Sequence, residues 1–111
     1  MKGWIAVAGM MGLTAVSGLA QAQAQTPLDM VKKARCVACH AVDKKLVGPS
    51  YQEIGAKYQG QSGAAEKLFE KVRAGGAGNW GQIPMTPNGP DKISDENLKA
   101  VIQWVLSGAP A

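Results

Sequence analysis

Apolar residues recur along this chain at the three-and-four spacing of helices, and no stretch alternates with the period of two that a half-buried strand requires. Thr26 supplies a capping oxygen, Pro27 a first helical position and Asp29 a partner three residues beyond the cap. Leu28, Met30, Val31 and Ala34 continue that first helix. Ser50-Tyr51-Gln52-Glu53 reads as a capping box that opens a short second helix, to about Lys57. Ser62 is placed to cap a third helix from Gly63 to Ala74, with Ala65, Leu68, Phe69 and Val72 on one face and Gly75 as its stop. Ser94 caps the last helix, followed by Asp95 and Glu96 at its positive end. Leu98, Val101, Ile102 and Val105 form a buried stripe there, and Gly108 ends it. Eight glycines and prolines crowd residues 75–90, so that stretch is a long loop. The predicted fold is all-α, with four to five short helices.

The N-terminal residues follow a different pattern. Lys2 is a minimal positive head, and Trp4 to Ala20 is apolar or small except for Thr14 and Ser17. Ala20-Gln21-Ala22 and Ala22-Gln23-Ala24 are both A-x-A sites. This is the layout of a cleaved secretory signal, with the cut after Ala22 or Ala24. The run is a little short and too rich in Gly and Ala for a membrane span of about 20 residues. Residues 1–24 are therefore expected to be removed and residues 25–111 to form one domain. No stable membrane insertion is expected afterwards, and the expected compartment is the bacterial periplasm.

So small a domain is near the size at which one core barely suffices. Losing Lys2 from the 12 basic residues leaves 11 against 8 acidic ones, a net charge of +3. That mild excess lacks the dense stripe of a nucleic-acid binder and suits acidic docking partners better.

The chemistry is concentrated at one point. The chain has two cysteines and one histidine, and all three stand in Cys36-Val37-Ala38-Cys39-His40. C-x-x-C-H is the attachment signature of a c-type haem. Cys36 and Cys39 are spaced to form thioethers to the two porphyrin vinyls, and His40 then lies under the ring as an axial iron ligand. One haem c, acting as a large apolar plate, would also complete the undersized core.

With one histidine in the chain, a second protein ligand must be another residue type. Met1, Met10 and Met11 lie in the segment expected to be removed, and Met30 lies on the apolar face of the first helix. Met85 stands in Ile83-Pro84-Met85-Thr86-Pro87-Asn88, far enough beyond His40 for the chain to return on the opposite face of the haem. Its flanking prolines stiffen that loop. A thioether opposite an imidazole favours ferrous iron and raises the reduction potential. Gly76-Ala77-Gly78-Asn79-Trp80-Gly81 also fits G-x-G-x-x-G, but a dinucleotide site needs a strand before it and a helix after it.

The chain resembles a small bacterial class I cytochrome c, of the c-551 or c-552 kind, over essentially all of residues 25–111. The resemblance is carried by Lys33 to Ala41, by Val47-Gly48-Pro49-Ser50-Tyr51, by Asn79 to Met85 and by Trp104-Val105-Leu106-Ser107. It implies a class I cytochrome c fold wrapped around one covalent haem. It also implies that the Pro49 carbonyl accepts from the second nitrogen of His40. The Trp80 indole would bond a haem propionate, and Asn88 would donate to the Met85 sulfur. Gln82 departs from the family, which often has proline there.

Together these features predict a monomeric one-electron carrier with no enzymatic activity of its own. Expected donors include a membrane cytochrome complex, and expected acceptors a terminal oxidase, nitrite reductase or peroxidase. Lys32, Lys33, Arg35, Lys44 and Lys45 flank the motif and are candidates for a docking rim. The rival readings are a membrane-anchored haem subunit of a larger oxidase or reductase, a five-coordinate gas-sensing haem protein and a thiol–disulfide oxidoreductase.

Overall fold

Capping decides where three of the helices begin. In the computed structural model, which describes residues 25–111 continuously together with Gly3, Gly9 and Gly12, α1 spans Pro27–Lys33. Its cap is the expected box: the Asp29 N–H donates to Thr26 Oγ1 at 3.2 Å, and the Thr26 N–H donates to Asp29 Oδ2 at 3.3 Å. α2 spans Tyr51–Tyr58 behind the Ser50–Glu53 box, whose two bonds are 3.0 and 3.2 Å. α4 spans Asp95–Leu106, with the Asn97 N–H donating to Ser94 Oγ at 3.1 Å. The signal-peptide cut sites fall outside the described residues.

The helix α3 corrects one expectation. It spans Ala64–Ala74, and its cap is Gly63 with φ 73°, not Ser62. Gly63 makes no side-chain cap bond, so a left-handed turn that glycine adopts freely turns the chain into the helix. Gly75 ends α3, as predicted.

Among the described residues no strand forms, and the only ladder contacts are isolated bridges of His40 with Lys45 and Gly76 with Met85. The helix α4 is the hub and packs against α1, α2 and α3. Its stripe of Leu98, Val101, Ile102 and Val105 meets Val31 of α1, Tyr51 and Tyr58 of α2 and Leu68 of α3 in one buried cluster. Met30 packs against the outside of this cluster. The two ends of the domain differ: the helices enclose that cluster, whereas from 76 to 87 every residue except Met85 is exposed.

The candidate haem cleft

The C-x-x-C-H segment is folded by its own backbone. A 3-10 turn over Cys36–Ala38 is entered through Arg35 in the left-handed region, φ 64°, ψ 19°. The N–H groups of Cys39 and His40 both donate to the Cys36 carbonyl, at 3.1 and 3.0 Å. This places the two free thiols on one short turn, Cys36 half-buried and Cys39 exposed. Burial is the largest influence on Cys36 and pushes its thiol above the ordinary value; the neighbouring Cys39 adds to this, while its own backbone and Lys92 oppose it.

His40 is buried and held in one orientation. Its Nδ1 lies 2.7 Å from the Pro49 carbonyl oxygen, which only accepts, so Nδ1 carries the proton and donates. Nε2 is then left with its lone pair. Gly48 makes the position possible: a Cβ there would stand 2.5 Å from His40 Cε1. The Tyr51 ring packs 5.6 Å from the imidazole, and Trp104 packs 5.4 Å from Tyr51 on the far side.

Met85 is brought in from the opposite end of the chain. Gly76 and Met85 exchange two backbone hydrogen bonds, of 2.9 and 3.0 Å, which tie the loop to the end of α3. Gly75 makes this approach possible. Its φ of 69° and ψ of −156° lie in a region that side-chain-bearing residues avoid, and a Cβ there would strike the Met85 carbonyl oxygen.

These pieces surround one cleft. Cys36, Cys39, His40 and Met85 all line it, with walls from the buried helix cluster, and its empty space is about 1370 Å³ with the open mouth included. Met30 is not among its lining residues. The cleft fits a haem on three counts. A thiol pair, an imidazole and a thioether converge on it. Gly48 leaves a cradle for the imidazole that any side chain would fill. Tyr51 lines the cleft, and its hydroxyl is buried with no hydrogen-bond partner. A buried hydroxyl left unpaired costs about 1–3 kcal/mol.

The remaining predicted residues are placed as follows. Trp80 lines the cleft and is exposed, with the Lys57 ammonium 4.2 Å from its ring centre. Lys57 also donates to the Asn79 carbonyl at 2.7 Å, so it braces this part of the loop. Asn88 is buried, but its amide donates to the Thr86 carbonyl at 2.9 Å and the Val72 carbonyl at 3.5 Å rather than to the Met85 sulfur. Its position two residues beyond Thr86 puts the nearer carbonyl within easier reach. Lys32, Lys33, Arg35, Lys44 and Lys45 are all exposed, and Arg35 reaches the cleft wall. Val47, Trp80 and Ile83 line the cleft and still face solvent, giving its mouth an apolar edge.

Sequence reasoning missed Lys57 and Arg73 as loop anchors, since nothing local marks a lysine or arginine on a helix as a distant brace. The role of Gly48 was missed as well, since nothing in the sequence says which side chain a glycine makes room for.

Comparison with known proteins agrees with this cleft. The family model "Cytochrome c" matches residues 29–109. A cytochrome c-551 of Azotobacter vinelandii is 49% identical over 83 residues, covering 75% of this chain and 98% of that protein. A cytochrome c-552 of Nitrosomonas europaea is 46% identical over 92 residues, covering 83% of this chain and 84% of that one. The crystal structure of wild-type Nitrosomonas europaea cytochrome c552 superposes with a TM-score of 0.68 at 44% identity, over 73% of this chain and 98% of the other. The chain belongs to the cytochrome c family: it is a small electron carrier of the c-551/c-552 kind, built around one covalently attached c-type haem, and not an enzyme.

Proposed function

We propose that this protein is a periplasmic one-electron shuttle whose iron is held between His40 and Met85. The observation that carries the reading is the convergence of Cys36, Cys39, His40 and Met85 on one cleft. Cys36 and Cys39 hold the haem through thioethers. His40 binds the iron through Nε2, while Pro49 fixes the tautomer by accepting from Nδ1. Met85 would supply the second protein ligand through its sulfur. The haem supplies the redox change, alternating between ferrous and ferric states. The residues around it exclude water from the iron and set its potential. With His40 and Met85 both holding the iron, no exogenous ligand would have to bind or leave during electron transfer.

Trp80 bonds a propionate through its indole, and Asn88 sets the Met85 segment from its buried position. The exposed edge of Val47, Trp80 and Ile83, with the exposed Lys32, Lys33, Arg35, Lys44 and Lys45 that flank the C-x-x-C-H motif in sequence, would form the docking face. An apolar contact patch with a basic surround suits acidic redox proteins: a membrane cytochrome complex as donor, and a terminal oxidase, nitrite reductase or peroxidase as acceptor. The N-terminal segment directs export and is removed after Ala22 or Ala24, so the mature monomer begins at Gln23 or Gln25. Among the described residues no helix is long and apolar enough to cross a membrane.

Absorption spectra of the purified holoprotein in both redox states test the ligation. A covalent c-type spectrum with a Met–ferric charge-transfer band is expected, and M85A should abolish that band and lower the potential. An unchanged band in M85A moves the ligand elsewhere. The N-terminal mass of protein from the periplasmic fraction tests the export reading, and an intact Met1 there overturns it.

A further inference from the structure

We propose that Arg73 is a positioning residue for Met85, and that its guanidinium latches the segment after Met85 against the end of α3. The inference rests on the reading of Met85 as the second iron ligand. Arg73 sits in the last turn of α3, and its Nη1 donates to two carbonyls on one bend, Asn88 at 3.0 Å and Ile93 at 2.8 Å. Its Nη2 pairs with the Asp95 carboxylate in the first turn of α4. The Phe69 ring backs the guanidinium at 5.1 Å. The Arg73 side chain is 16% exposed and that of Asp95 67%, so the two carbonyl bonds are the sheltered part of the arrangement and the ion pair is the screened part.

The placement matters because of what lies next to it. Asn88 donates its own N–H to the Val72 carbonyl at 3.0 Å, so consecutive residues of α3 hold Asn88 through both its donor and its acceptor. Met85 is tied at Gly76, two residues beyond the end of α3. Only Thr86 and Pro87 separate these two anchors, and proline fixes its own φ. The sulfur position is thus set from both sides, and Arg73 closes the second side. The guanidinium serves the two carbonyls through Nη1 and the Asp95 carboxylate through Nη2, whereas a lysine would have to reach all three acceptors from one nitrogen.

A plain tie between α3 and α4 would use the same contacts, and the two roles separate in solution. Imidazole binding to the purified ferric holoprotein reads how often Met85 lets go, because the probe must displace it. M85A should bind imidazole far more tightly than wild type. R73Q should raise imidazole affinity by about tenfold or more, the factor carried by one charge-assisted hydrogen bond. R73K should fall between wild type and R73Q, and D95N should change affinity by less than about fivefold, as an exposed pair allows. Wild-type affinity in R73Q, even with a lowered denaturation midpoint, would leave Arg73 as a structural tie only and overturn the latch. Should R73Q fail to fold, R73K decides in its place, and wild-type affinity there has the same meaning. M85A binding no tighter than wild type would instead remove the Met85 ligation, and the latch with it.

Discussion

His40 and Met85 face one cleft from halves of the molecule that are built differently. The His40 half is closed by packing: Val31, Tyr51, Leu98, Val101, Ile102 and Val105 are all buried around it. The Met85 half has almost no core, since residues 76–87 are exposed apart from Met85 itself. What holds it is a short list of polar contacts: the Gly76 bridge, the Asn88–Val72 bond, the Arg73 fork and the Lys57 brace. Burying one large apolar side chain contributes about 1.5–3 kcal/mol, whereas a typical hydrogen bond nets about 1. The packed half should therefore open only with the whole domain, and the polar half should open locally and first. On the proposed ligation, the iron would be held only as firmly as the Met85 half allows.

Two substitutions break the contrast in opposite directions. Leu98, the first residue of the α4 stripe, is 2% exposed, and L98A should cost about 3 kcal/mol of global stability. Denaturant unfolding should show that loss, while the Met–ferric band under native conditions stays as in wild type. If the band fades before the helices melt, the packed half is not independent of the loop. G75A should do the reverse. It forces a side chain into a backbone region that costs about 1–3 kcal/mol and directs it at the Met85 carbonyl. Its expected signature is a weakened band at an almost unchanged helix-melting midpoint. Equal losses in both readouts would mean that the two halves open together.

Tyr51 offers a pH probe of the packed half alone. Burial pushes its hydroxyl well above the usual tyrosine range, and the charges of Cys36 and Cys39, where present, push the same way. Below about pH 10 the hydroxyl is neutral in both folded and unfolded chains, so its contribution is fully present. As pH rises further, the unfolded chain ionises first and stability falls by up to about 1.4 kcal/mol per pH unit from this group. Y51F should remove that slope from the unfolding free energy measured between pH 9 and 11. The pH at which the Met band disappears should not move, because that event belongs to the other half.

Helix positions, the hub stripe on α4 and the grouping of Cys36, Cys39 and His40 were legible because capping and periodicity are local codes. Elimination among the methionines pointed to Met85, and Met85, unlike Met30, lines the cleft. Two further features were not legible. Ser62 looks like a cap, yet Gly63 takes the role, because a left-handed turn competes with a side-chain cap and leaves no composition signal beyond the glycine. The bracing of the loop by Arg73 and Lys57 depends on contacts 15 to 22 residues apart, and charge on a helix face does not announce its distant partner. Asn88 shows the same limit: its place in the loop was readable, but which acceptors its amide meets was not.

The smallest expected effect lies at the entry to the haem-attachment turn. Arg35 enters the haem-attachment turn with φ 64°, a conformation that costs a side-chain-bearing residue about 1–2 kcal/mol and glycine almost nothing. It is exposed and lines the cleft wall, so what it adds there is charge rather than packing. R35G should thus raise global stability by about 1 kcal/mol in denaturant unfolding and leave the Met band in place. Electron exchange with a small anionic iron complex should slow, and its dependence on ionic strength should flatten, as expected when one positive charge leaves the site of approach. A variant that gains stability with unchanged exchange kinetics would place the approach route elsewhere on the rim. Stability gained together with slower exchange would identify Arg35 as strain kept in the packed half for the sake of docking, which the loosely held half could not sustain without releasing Met85.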